Sequence, residues 1–82
     1  MIINILGKRE VNFTDATTGN QITGKSIYYA YSDQRVEGYA TDKLFIGSQH
    51  IDPFICGHKY RVQYNRYGKV DLYSVEETNQ EI

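Results

Sequence analysis

The chain has 82 residues, 40% of them apolar and 23% charged, with nine Lys and Arg against ten Asp and Glu for a net charge of −1. That length holds one domain, which buries only about 60% of the surface its unfolded chain exposes, so self-association is expected to supplement a thin core. The near-zero charge excludes a uniformly basic packager of nucleic acid. No apolar run approaches the ~20 residues that cross a bilayer, and residues 1–6 lack a signal peptide's basic flank and cleavage site, so the expected compartment is the cytoplasm.

Residues 2–14 read as a long or bent strand with Gly7 as a bulge. Asp15–Gly24, with two glycines and three threonines, is expected to be a mobile loop. Ile27, Tyr29 and Tyr31 then alternate with Ser26, Tyr28, Ala30 and Ser32, the period of a two-faced strand. Asp33-Gln34-Arg35 makes a hairpin turn into a third strand over residues 36–46. Gly47–Gly57, interrupted by Pro53, has room for about one helical turn. In the fourth strand Tyr60, Val62 and Tyr64 alternate with Lys59, Arg61 and Gln63, and Asn65-Arg66-Tyr67-Gly68 turns the chain into a last strand over residues 69–76. Five strands at this spacing predict an all-β fold: a five-stranded antiparallel small barrel over residues 1–76, OB-fold-like or SH3-like. Residues 77–82 are left as an acidic flexible tail.

Few residues invite catalysis. Cys56 is the only cysteine, so it forms no internal disulfide, and with His50 and His58 it makes no recognisable zinc set. Cys56 and His58 are two apart and share a face in an extended segment, but no third group orients them, and no phosphate-cradling loop or nucleophile elbow is present. Glu76 and Glu77 lie in the tail, where nothing shapes a pocket around them. The sequence therefore predicts a protein that is not an enzyme and that needs no cofactor or metal.

Binding has more behind it. Eight Tyr and three Phe accompany no Trp, and a tyrosine either half-buries in a core or offers a flat face to a ligand. Between Pro53 and Val70 lie Lys59, Arg61, Arg66 and Lys69 with no acid, whereas residues 71–82 hold four acids and no base. Lys59 and Arg61 form a basic stripe opposite the apolar face of the fourth strand. Arg66, Tyr67 and Lys69 crowd the following hairpin tip, and Tyr28, Tyr39 and Lys43 form a second group across the second and third strands. An exposed ring flanked by cations supplies what a single strand of nucleic acid requires, a π-face for a base and charge for phosphates.

In order and spacing the chain resembles the small single-stranded-DNA-binding, helix-destabilising proteins of filamentous phages. The resemblance spans residues 1–76: MIINI at the start, Gly24-Lys25 before the Tyr-rich second strand, Tyr39 followed by Lys43, Gly57 before KYRVQY, and the Tyr67-Gly68 tip. It implies an OB-fold homodimer that binds single-stranded DNA cooperatively in phage or mobile-element replication, with Tyr67 as the tip aromatic, Tyr28 and Tyr39 as stacking residues and Lys43 on phosphate. Charge and position add Lys25, Arg61, Arg66 and Lys69. Two features depart from that family: Asp15–Gly24 carries one acid and no base, and the terminus is acidic. The same contacts serve RNA as well as DNA. The rival reading is a small β-barrel module for protein–protein interaction, since interfaces also favour Tyr and Arg.

Overall fold

The computed structural model describes residues 1–82. The fold is all-β: β1 (Ile2–Thr14), β2 (Gln21–Tyr31), β3 (Ala40–Gly47), β4 (Lys59–Arg61) and β5 (Glu76–Thr78) form one antiparallel sheet in the order β3-β2-β1-β4-β5. A 3-10 turn at Leu72–Ser74 is the only helical element. β3 and β5 are the two free edges, so the sheet is not closed into a barrel.

β1 and β2 are long because β-branched and aromatic residues recur along both and a tight turn joins them. The Asp15 N–H donates to the Asn20 carbonyl and the Gly19 N–H to the Asp15 carbonyl, each at 2.8 Å, while the Asp15 carboxylate accepts from the Thr17 N–H. Gly19, at φ 74°, supplies the left-handed residue that this closure needs. The turn thus ends at Asn20, and residues 21–24, expected in the loop, belong to β2.

The core lies on one face of the sheet. Ile3 and Ile5 from β1, Ile27 and Tyr29 from β2, Ile46 from β3 and Tyr60 from β4 are buried there with Phe54 and Val62. Phe54 comes from the β3–β4 connection and meets Tyr60 edge to face, with ring centroids 5.1 Å apart. The Tyr60 hydroxyl accepts from the Ile55 N–H at 2.8 Å, which fixes the connection over the core. The same connection extends the β1 ladder, for the Gly57 N–H donates to the Ile5 carbonyl at 2.8 Å and the Ile5 N–H to the His58 carbonyl at 3.0 Å. Only 9 of 82 residues are buried, which keeps the stability margin thin. The molecule measures 42 × 26 × 25 Å with a radius of gyration of 13.9 Å, above the roughly 12 Å of a compact chain this long, because the β1–β2 hairpin runs on past the core.

Several boundaries differ from the sequence reading, each for a local reason. The third strand starts at Ala40 and not at residue 36, since the Val36 N–H donates to the Asp33 carbonyl and Gly38 sits at φ 81°, so the turn runs on. The fourth strand stops at Arg61, and Tyr64, expected on the inward face, is 48% exposed and bridges Val70. The segment expected as a strand from residue 69 instead coils into the 3-10 turn, whose Tyr73 N–H is capped by the Asp71 carboxylate at 3.0 Å. The helical turn is therefore here and not in residues 47–57. β5 begins at Glu76, so Glu77 and Thr78 are part of the sheet.

Candidate nucleic-acid interface

A bulge in β1 decides which side chains face solvent. β1 pairs with β2 through Ile3↔Tyr31 and Ile5↔Tyr29, then resumes at Gly7↔Tyr28, so Leu6 and Gly7 together occupy a single step of β2. Opposed residues of an antiparallel pair project to the same side, so the bulge exchanges the faces of β1. Beyond it Lys8, Glu10 and Asn12 share the core side with Ile27 and Lys25, while Gly7, Arg9, Val11 and Phe13 take the outer side with Tyr28 and Ser26.

The register across β3 completes two rows on that outer side: Gly7–Tyr28–Lys43 and Arg9–Ser26–Phe45. Each row holds one ring and one cation. Neither Arg9 nor Lys43 is in an ion pair, and Phe45 is 47% exposed. The Phe45 ring lies over Gly24, where a Cβ would stand 2.5 Å from its Cζ and 2.3 Å from the Ile46 carbonyl oxygen. No Asp or Glu occupies an outer position of β1, β2 or β3, and the carboxylates of these strands, Glu10 and Asp42, are on the other side. Tyr39, 57% exposed, lies one residue before β3.

The hairpin tip is a second cation–aromatic group. Asn65 builds it: its carboxamide oxygen accepts from the Tyr67 N–H at 2.9 Å and the Lys69 N–H at 3.1 Å, and its carbonyl accepts from the Gly68 N–H at 3.0 Å. Gly68 at φ 75° lets the turn close. Tyr67 is 71% exposed, and the Arg66 guanidinium lies 5.0 Å from its ring centroid and donates to its hydroxyl at 2.9 Å. Lys69 forms no ion pair.

Two expected site residues sit in other surroundings. Lys25 is on the core side, opposite Glu10 and Ile46, with its Nζ 3.7 Å from the Asp52 carboxylate. It lines a polar cleft of about 410 Å³ with Glu10, Asn12, Thr23, His50 and Asp52. Burial works against the Asp52 carboxylate, but hydrogen bonds from Lys8 and the Phe54 N–H, with the Lys8 and Lys25 charges, hold it below the usual carboxylate range. Arg61 does lie on the outer side, yet its guanidinium donates to the Gln80 carboxamide at 2.5 Å and stands 3.9 Å from Glu76. Away from these groups, His58 Nδ1 contacts the Glu77 carboxylate, and Cys56 is a free, exposed thiol. Tyr29, buried in the core, has its hydroxyl pKa raised by desolvation first and by Tyr64 next.

Of the expected group Tyr28, Tyr39 and Lys43, the register pairs Tyr28 with Lys43 while Tyr39 lies just outside β3; Arg9 and Phe45, which share the outer side with them, were not singled out from the sequence. The signal was present in Gly7: a bulge there reverses the alternation, and carrying that reversal along β1 puts Arg9 outward. No family model, curated protein or solved structure matches the chain. No helix is long and apolar enough to cross a membrane.

Proposed function

We propose that the chain is a sequence-tolerant single-stranded-DNA-binding protein with no enzymatic activity, a cytoplasmic homodimer of OB type serving phage or mobile-element replication. The observation that carries the reading is the acid-free outer face of β1–β3, with its two rows of one ring and one unpaired cation. Bases stack on Tyr28 and Phe45, with Tyr39 and Tyr67 extending the path. Arg9, Lys43, Arg66 and Lys69 neutralise phosphates. Lys25 takes no part, because its ammonium faces Asp52 on the core side.

The strand order supports the OB assignment. Three hairpin-connected strands followed by a fourth that returns by a long connection to lie beside the first is a Greek key, and the OB-fold is a partly open five-stranded barrel built on one. The sparse core supports the dimer, since a second copy would cover surface that one chain leaves wet. The order of motifs shared with the filamentous-phage proteins supports the replication setting.

The test is an anisotropy and tyrosine-fluorescence titration with labelled oligo-dT at low and moderate salt, with duplex DNA and oligo-U as controls. Binding is expected to prefer the single strand, to quench tyrosine emission and to weaken with salt with a log–log slope of about −3, from four phosphate contacts. Absence of binding at low salt, both in the wild type and in Glu76→Gln/Glu81→Gln, removes the reading, and a preference for oligo-U changes the ligand to RNA. A second reading has one observation in its favour. At the far end of the hairpin Phe13, 50% exposed, pairs with Ile22 without a neighbouring cation, as suits a protein partner. Capture of a defined partner that is lost in Phe13→Ser, with no DNA binding, would select it.

A further inference from the structure

We propose that the C-terminal segment, residues 76–82, is an intramolecular competitor for phosphate that occupies the cations of β4 and is displaced when a nucleic-acid strand binds. The inference rests on the single-strand reading of the outer face and extends that face across β4.

Register places Lys59 and Arg61 on the outer side. Arg61 pairs with Ile2, and Lys59 pairs with Asn4, which in turn opposes Ala30 and then Thr41. β4 would therefore continue the acid-free face of β1–β3 with two more cations. The terminal segment ends that continuity. Glu76 in β5 opposes Arg61 at 3.9 Å, Glu81 reaches Lys59 at 3.7 Å, and the Gln80 carboxamide accepts from Arg61 at 2.5 Å. The last residues fold back so far that Glu81 and Ile82 border one hollow with Met1, Ile2, Ser32 and Arg61. Glu76 is the only carboxylate that any strand places on the outer side.

The hold is built to be weak. Glu76 and Glu81 are 72% and 89% exposed, and exposed ion pairs contribute little and are screened by salt. β5 has three residues, lies at the sheet edge and ends four residues before the terminus, the kind of segment that opens at low free-energy cost. A polyanion that brings several phosphates outcompetes two carboxylates at these positions through counterion release.

The experiment compares the full chain with Glu76→Gln/Glu81→Gln, each alone and combined with Lys59→Ala/Arg61→Ala, in oligo-dT titrations over a range of salt. The double Gln variant keeps the strand and the chain length. It is expected to bind about threefold tighter or more, with a salt slope steeper by about 1.4 as two cations become free for phosphates. Both effects should vanish in the Lys59→Ala/Arg61→Ala background. Binding by the Gln variant alone, with a silent wild type, supports the inference and reveals a masked binder. Equal binding by wild type and Gln variant overturns the inference and leaves the single-strand reading intact. A gain that survives the loss of Lys59 and Arg61 comes from net charge alone and also overturns it. Binding by neither overturns both.

Discussion

The Arg66 guanidinium already covers one face of the Tyr67 ring, so a base has the opposite face to stack on. Tyr67→Ala is expected to weaken oligo-dT binding by about 1–3 kcal/mol, the usual worth of one stacked base, with an unchanged melting temperature since the ring touches no core. Unchanged affinity would remove the tip from the interface. Phe45→Ala should cost a similar amount, whereas Lys43→Ala should lower the magnitude of the salt slope by about 0.7, the share of one phosphate on a single strand. Asp52 belongs to stability. Lys8 and the Phe54 N–H bind its ionised form, so its folded pKa lies below the unfolded value near 3.9. That stabilisation is complete above the unfolded pKa and is lost as pH falls through the folded one. Melting temperatures of the wild type should therefore drop more steeply than those of Asp52→Asn as the pH falls below the unfolded carboxylate range.

Among the elements, β2 carries the tightest constraint. A Cβ on Gly24 would stand 2.3 Å from the Ile46 carbonyl oxygen, which is backbone and cannot swing aside, and 2.5 Å from the Phe45 ring. Gly24→Ala is expected to destabilise the fold by about 1–3 kcal/mol, read by urea unfolding, and to shift Phe45 away from the Arg9 row. Much of β1 and β2 was legible in sequence because their signals are local, the apolar alternation at Ile27 and Tyr29 and the bulge at Gly7, and the later hairpin tip was legible for the same reason in Asn65 and Gly68. The shortness of β4 was not. Val62 still follows the β1 register, its N–H donating to the Met1 carbonyl, but beyond it Tyr64 pairs with Val70 instead, contacts between residues far apart or across a turn. The candidate site divides the same way. Lys25 shares odd-numbered parity with Ile27 and could be assigned to the core side from alternation alone, whereas the placing of Arg9 and Phe45 in one outer row depends on the registers of two separate strand pairs.

For the whole molecule, the sparse core and the length of the unsupported hairpin predict that stability depends on association. The melting temperature should rise with protein concentration over the range in which a dimer forms, and a constant value would argue for a stable monomer. The sorting of charge between the two sides of the sheet has a kinetic consequence. A protein of net charge −1 gains nothing from its total charge as it nears a polyanion, but the strands place Arg9, Lys43, Lys59 and Arg61 against Glu76 alone on the outer side, while Lys8 and Lys25 are offset by Glu10, Asp42 and Glu77 on the other, which leaves a dipole across the sheet. Such a field turns the molecule before it touches, so encounters arrive with the outer side forward and the association rate exceeds that of an unoriented particle. Stopped-flow association with oligo-dT should therefore slow as salt is added, although the net charges of the two partners have the same sign.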